Sequence, residues 1–285
     1  MTRSWLFVPG DDERKIARAW TSGADALIFD WEDAVATSRK VDARRITIGA
    51  LAAAPPSHPA CWIRVNALGD PHNEDDLAAL PVARIAGIVL PKACGAGALR
   101  TVDRLLAQAE QSAGVRQGVL RVVAIVTETA RSVLALPELR EPQPRLAALM
   151  WGGEDLSADL GALGNRDGNG NYRDPYRLAR TLTLFAAAAT ACEAIDAVHI
   201  DFRDLAALAR ETADAKADGF AGKAAIHPAQ IPVIHAALAP TAEELAWAQR
   251  VYAAVDATTG VTVVDGRMVD APHVKLARRI VTTSA

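Results

Sequence analysis

The chain has 285 residues, 51% of them hydrophobic and 5% aromatic, with a net charge of -3 and a sequence pI near 6.1. That length suits one large α/β domain or two small ones, and the absence of a basic block or stripe argues against nucleic acid as a partner. No apolar run is long enough to cross a bilayer, the first residues lack a signal peptide's apolar core, and Cys61, Cys94 and Cys192 lie too far apart to suggest a disulfide framework, so a soluble protein of a reducing cytoplasm is expected.

Short, often β-branched runs alternate with longer Ala/Leu/Arg segments of helical character. Strands are expected at 5–9, 26–30, 61–66, 87–92, 121–128, 147–152, 197–201 and 223–227. Most are continuous apolar runs, as expected for strands buried on both faces of a parallel sheet. Helices are expected at 12–22, 40–53, 97–111, 176–192 and 202–216. Eight strands separated by helices predict an α/β fold, a (β/α)8 TIM barrel over 1–238, with a doubly wound open sheet as the alternative. Further on, 228–238 and 242–256 read as helices, 261–264 as a short strand ended by the Asp265-Gly266 turn, and 273–281 as a last helix. The stretch 239–285 is surplus to a minimal barrel: a C-terminal helical extension that packs below the barrel or reaches a neighbouring subunit.

In barrel enzymes the site forms at the C-terminal ends of the strands. Those ends carry Asp30 with Glu32 and Asp33, Arg64, Lys92, Glu128, Glu154 with Asp155, Asp201 and His227. A solvated loop explains any one of them and explains the set poorly, which favours an enzyme over a binding module. The centre is LMWGGEDLSADLG (149–161), where an apolar run stops at Gly152 and Gly153 and two carboxylates follow. Without a Cβ, these glycines let backbone or substrate come close. If the strands ending at Glu128 and at Glu154-Asp155 are neighbours, Glu128 and one of the latter two can share Mg²⁺, which favours one or two carboxylates completed by water and substrate oxygens. Adjacent residues on an extended chain point oppositely, so one of the two ligates; Asp155 is preferred and Glu154 is the competitor.

Arg64 interrupts an apolar strand. It forms either an ion pair with a core carboxylate such as Glu32 or a fork for a substrate carboxylate, and the second reading is favoured. Lys92 neutralises the acidic site or meets a phosphate; a Schiff base asks for a drier pocket. Glu32 and Asp33 are expected behind the site, orienting Arg64 and metal-bound waters. The histidines show no zinc-ligand spacing, and His227 reads as structural. GALGNRDGNGN (161–171) lacks both the dinucleotide fingerprint and a complete calcium loop, and is expected to be a flexible loop over the site. Cys94 has no evident base beside it.

The segments RSWLFVPGD (3–11), GADALIFDWEDAV (23–35), IRVNAL (63–68), IVLPK (88–92), IVTETARSVL (125–134), MWGGEDLSADLG (150–161), AVHIDFRDL (197–205), AAIHPAQIPVI (224–234) and GRMVDAP (266–272) together resemble the citrate lyase beta-subunit-like proteins of the HpcH/HpaI aldolase superfamily. The resemblance implies a Mg²⁺-dependent (β/α)8 barrel that assembles as a homo-oligomer, a trimer or hexamer. It implies metal ligation by Glu128 and Asp155 and a substrate-carboxylate role for Arg64. It also makes Asp270, in MVDAP, a catalytic Asp that enters a neighbouring subunit's site in related malyl-CoA lyases. Phe29, Trp31 and Ser132 depart from the family's usual residues, which bears on substrate choice. The implied activity is C–C bond cleavage or formation in a 3-hydroxyacyl-CoA, with an acyl-CoA and a 2-oxo acid as its ligands. Alternatives are a citrate lyase subunit acting on a carrier-bound substrate, a CoA-independent aldolase of the HpaI type, and a non-catalytic CoA-binding or assembly subunit.

Overall fold

Eight short runs of Val, Ile, Leu and Ala pair side by side in chain order. They are β1 (Ser4–Pro9), β2 (Ala26–Asp30), β3 (Ala60–Arg64), β4 (Gly87–Leu90), β5 (Arg121–Ile125), β6 (Leu146–Met150), β7 (Glu193–Asp196) and β8 (Gly222–Ala225). All neighbours are parallel, and β8 pairs back onto β1 to close the barrel. This computed structural model describes residues 2–254 and 260–284.

Alternation along each strand sends one set of side chains to the barrel axis and the other to the helices. Trp5, Ile28, Trp62, Val123, Met150 and Ile195 belong to the axial cluster, where Trp5 and Trp62 meet at 5.3 Å near the strands' N-terminal ends. The contact between β4 and β5 needs Gly87: a Cβ there would lie 2.0 Å from the Arg121 carbonyl oxygen. Around the barrel run α1 (Glu13–Ala19), α2 (Lys40–Ala52), α3 (Asn73–Ala78), α4 (Gly95–Ser112), α5 (Ala130–Ala135), α6 (Gly153–Asp159), α7 (Asp174–Ala189), α8 (Leu205–Asp218) and α9 (Ile231–Leu238). Their apolar faces and the outward-facing strand residues make the larger core.

The extension is a small unit: α10 (Ala242–Ala254), the antiparallel hairpin of β9 (Thr262–Val264) and β10 (Arg267–Val269), and α11 (Ala271–Ser284). Ala248, Val251, Val264, Val269 and Ala277 form its own core. Lys216 Nζ ties α8 to it, donating to Ala239 O at 2.9 Å and Glu244 Oε2 at 2.6 Å.

The expected barrel is present and the open sheet is not. The seventh strand lies earlier than the expected 197–201. The apolar run 194–200 has no period that locates a strand within it, and pairing decides: Ala148 sits opposite Glu193, and Ile195 opposite Gly222. Several other strands stop short of their expected ends, so Lys92 and Glu128 ride on the loops just above the barrel, and Glu154 and Asp155 lie in the first turn of α6 rather than on an extended chain. The helix expected from Phe202 begins at Leu205, because the Asp204 side chain caps it by accepting from Ala207 N. The helix expected to 192 ends at Ala189, and Ala191 turns into the left-handed region. Asp256, the expected end of the tenth helix, lies outside the described residues.

Candidate active site

Asp30 and Arg64 end β2 and β3 and are paired in register. Their side chains form a fork: Arg64 Nε donates to Asp30 Oδ1 at 2.8 Å and Nη2 to Oδ2 at 2.5 Å. Asp30 also accepts from the N–H groups of Glu32 and Ala34, which bends the DWEDA segment over the strand end. Arg64 Nη1 lies 2.9 Å from Glu32 Oε2, and its guanidinium sits 5.0 Å from the centre of the Phe7 ring. Arg64 thus makes the expected pair with Glu32 and still faces the cavity. A guanidinium carries five N–H groups, so Nη1 and Nη2 retain donors for a substrate carboxylate.

Lys92 has a positive φ of 50°. Its backbone N–H donates to Glu128 Oε2 and its ammonium to Glu32, with Asp33 Oδ2 at 3.3 Å. Burial works against its charge, but Glu32 and Asp33 outweigh burial and keep it protonated. A lysine so held is not a Schiff-base nucleophile, and Lys92 is not among the residues lining the cavity. Its work is to fix Glu128, Glu32 and Asp33.

The loops after β5 and β6 are tied together: Val126 N donates to Met150 O, and Gly152 N to Thr127 Oγ1 at 3.0 Å. This tie brings Glu128 and Asp155 to one cavity. The Glu128 Cγ packs where Gly152 has no side chain; a Cβ there would approach within 2.8 Å. Burial pushes the Glu128 carboxyl up to about 8; Glu32 and Asp155 push the same way, and Arg64 and the Lys92 N–H offset only part of it. Of the two neighbours, Glu154 is engaged, accepting from Asn165 Nδ2 at 2.6 Å. Asp155 has no hydrogen-bond partner among the described residues and lines the cavity. A buried carboxylate surrounded by like charge, with an unengaged carboxylate across from it, fits a hard divalent cation. No three His, Cys, Asp or Glu side chains among the described residues form a closed metal cage, and Mg²⁺ does not require one.

The cavity measures about 400 Å³. The polar part of its lining is Asp30, Asp33, Arg64, Glu128, Gly152, Gly153, Glu154 and Asp155, and the apolar part includes Phe7, Met150, Trp151, Tyr172, Val198 and Ile226. Of that apolar part, only Tyr172 comes from the 161–173 loop. This loop is pinned rather than bare: Asp167 Oδ1 accepts from the N–H groups of Asn169 and Asn171 at 2.9 Å, and Arg166 bridges to Tyr172. Composition marked the segment as a loop and gave no sign that Asn165 and Tyr172 return to the site. His227 stacks on Phe202 at 4.8 Å and caps Ala229 N, a structural position. The Cys94 thiol rests 3.8 Å from the Arg131 carbonyl. Asp270 bonds His273 at 2.6 Å in the extension and does not line its own chain's cavity.

The profile of the HpcH/HpaI aldolase/citrate lyase family matches residues 3–228. A citrate lyase subunit beta-like protein of Mycobacterium tuberculosis is 38% identical over 268 residues, covering 94% of this chain and 90% of that one. The mitochondrial citramalyl-CoA lyase of Mus musculus is 32% identical, over 98% of this chain and 85% of its own. The crystal structure of protein CitE from M. tuberculosis, in complex with magnesium, acetoacetate and coenzyme A, superimposes with a TM-score of 0.81 at 35% identity, covering 99% of this chain and 97% of that one. By sequence and by fold alike, the chain belongs to the HpcH/HpaI aldolase/citrate lyase family.

Proposed function

We propose that the protein is a Mg²⁺-dependent lyase that cleaves, or forms, a C–C bond in a 3-hydroxyacyl-CoA such as citramalyl-CoA, malyl-CoA or citryl-CoA. The products of cleavage are an acyl-CoA and a 2-oxo acid. The convergence of Glu128, Asp155 and Arg64 on one cavity carries this reading. The thioester class is supported by a citramalyl-CoA lyase and a (3S)-malyl-CoA thioesterase among the relatives, and by the coenzyme A and magnesium of the CitE complex.

Mg²⁺ held by Glu128 and Asp155 supplies Lewis-acid polarisation and a template for the carboxylate and adjacent oxygen of the oxo acid. Arg64, locked by Asp30 and Glu32, presents its remaining N–H groups to the same carboxylate and stabilises negative charge as it develops. Gly152 and Gly153 border the cavity, but the space a side chain would take is filled by Glu128 at the first and by the Trp151 ring at the second, so they seat these residues rather than opening room for substrate. In cleavage the hydroxyl gives its proton to solvent water and becomes the oxo group, the C–C bond breaks, and its electron pair passes to the thioester's α-carbon. That carbon must gain a proton. Asp270 from a neighbouring copy in a homo-oligomer would deliver it as general acid, the role that the resemblance to malyl-CoA lyases implies.

The test is release of a 2-oxo acid from a panel of 3-hydroxyacyl-CoA thioesters, with Mg²⁺ and with EDTA. Release lost on chelation is expected. Silence across the panel from folded, Mg²⁺-loaded protein sinks the reading, and turnover of CoA-free aldols alone replaces it with the CoA-independent aldolase.

A further inference from the structure

Between the barrel and α8 lies a buried ion cluster that the mechanism does not use. Lys223, on β8, is completely buried and donates to Asp196 Oδ2 at 2.7 Å, Glu211 Oε1 at 2.8 Å and Ala197 O at 2.8 Å. Charges this deep are costly to bury unless every group is engaged, and here each reaches toward the cavity wall. Asp196 Oδ1 accepts from Trp151 Nε1 at 2.7 Å. Glu211 Oε2 accepts from Arg166 Nη2 at 2.8 Å, and Arg166 Nη2 also donates to the Tyr172 hydroxyl at 2.6 Å. The Arg166 guanidinium lies 3.8 Å from the centre of the Tyr172 ring. Tyr172 then meets Trp151 edge-on at 4.9 Å, and both rings line the cavity. Trp151 immediately precedes the Gly152–Asp155 segment, so this wall adjoins the cation-binding side. A tyrosine on a surface loop is a movable wall unless something holds it, and the cluster grips it from behind.

We propose that Tyr172 sets how large a substituent the cavity admits at the carbinol carbon of the substrate, and that the Lys223–Glu211–Arg166 cluster is the positioning device that holds it. The proposal rests on the lyase reading above. The three thioesters differ at that carbon by hydrogen (malyl), methyl (citramalyl) or carboxymethyl (citryl), and the substituent leaves on the oxo acid as glyoxylate, pyruvate or oxaloacetate. A methylene against an apolar wall is worth roughly 10–200-fold in discrimination.

The experiment compares kcat/KM for the three thioesters in wild type, Tyr172→Ala, Tyr172→Phe and Arg166→Gln, with Mg²⁺ affinity measured on each. Glu211→Gln strips a buried lysine of one of its two carboxylate partners and risks misfolding; Arg166→Gln acts at the solvent end of the cluster and avoids that. Tyr172→Ala is expected to shift the ratio of larger to smaller substrate by at least about 10-fold toward the larger. Arg166→Gln shifts it the same way by less; Tyr172→Phe, which keeps the ring but loses the hydroxyl's bonds to Arg166 and Glu211, also shifts it by less than Tyr172→Ala; and Mg²⁺ affinity does not move. A ratio constant within about twofold while all three rates fall together assigns Tyr172 a structural role and overturns the proposal. If wild type turns over no thioester, the lyase reading fails by itself, and the same ratio is read from Mg²⁺-dependent calorimetric binding of glyoxylate, pyruvate and oxaloacetate. If none of these binds either, both readings fall.

Discussion

Gly152→Ala is the sharpest perturbation the site offers, because it adds one carbon against Glu128, the proposed cation ligand, and little else. The backbone at Gly152 has φ -124° and ψ 114°, which alanine adopts without strain. Its new Cβ would stand 2.8 Å from Glu128 Cγ. Carbon atoms rest about 3.5–4.0 Å apart, so Glu128 must retreat by roughly 0.7–1.2 Å. It has little room: Glu128 is 2% exposed, and the Lys92 N–H holds one of its oxygens. A misplacement of about 1 Å at a reacting centre costs on the order of 100-fold in rate, or about 2.7 kcal/mol of transition-state stabilisation. The assay pairs kcat/KM on the best thioester with a Mg²⁺ titration and a melting curve on the same preparation. The expected outcome is a loss near 100-fold in turnover and weakened Mg²⁺, with the melting temperature nearly unchanged. Wild-type turnover together with wild-type Mg²⁺ affinity would refute the assignment of Glu128 as a ligand.

Asp155→Ala should abolish Mg²⁺-dependent turnover, and Asp270→Asn should stop turnover while leaving Mg²⁺ binding intact. Mixing the two inactive variants under conditions that exchange subunits should then regenerate activity, because a site pairing the intact Asp155 of one copy with the intact Asp270 of another is complete; a mixture that stays dead argues against a shared site. Away from the cavity, Arg145 grips Glu110 through both nitrogens, at 2.7 Å and 2.9 Å. Burial works against the ionised Glu110, but Arg145 and the N–H groups of Leu120 and Gly118 outweigh it and hold the carboxyl below its usual range. A lowered folded pKa gives stability that is present above the unfolded value, near 4.3, and is lost as pH falls through the folded value. Glu110→Gln should therefore cost about 3 kcal/mol at pH 7 by stripping a buried arginine of its bidentate partner and leaving it only the half-exposed Asp103; urea titrations should show that deficit shrinking below pH 4, and a pH-independent deficit would count against the ion pair.

The barrel was legible because its strands are nearly pure apolar runs and each is separated from the next by at least one turn or helix signal. Boundaries were less so, and β7 shows why. From Ala194 to Ile200 the chain reads Ala-Ile-Asp-Ala-Val-His-Ile, an apolar run in which any four residues make a plausible strand. The choice is made by partners distant in sequence: Lys223 on β8 captures Asp196, and register with β6 fixes the rest. Local propensity contains none of that information. The same holds for Tyr172, whose place in the cavity depends on Arg166, Glu211 and Lys223. Only the first of these is near it in the chain.

Arg64 shows the opposite case, a residue whose two competing readings are compatible. Its pairing with Asp30 and Glu32 would satisfy a purely structural arginine, yet the cavity it lines also carries Asp33, Glu128, Glu154 and Asp155. Among the described residues acidic groups therefore outnumber Arg64 in the lining, and an anionic 2-oxo acid would enter against net repulsion. A divalent ion between Glu128 and Asp155 would cancel their charge and leave the Arg64 fork directed at a ligand that can then approach. The acidity of the strand ends, which first marked this chain as an enzyme, is thus also what couples substrate binding to the metal: oxo acid binding should vanish with EDTA in calorimetry even though Arg64 stays in place, and binding that persists without a divalent ion would mean that Arg64 alone suffices.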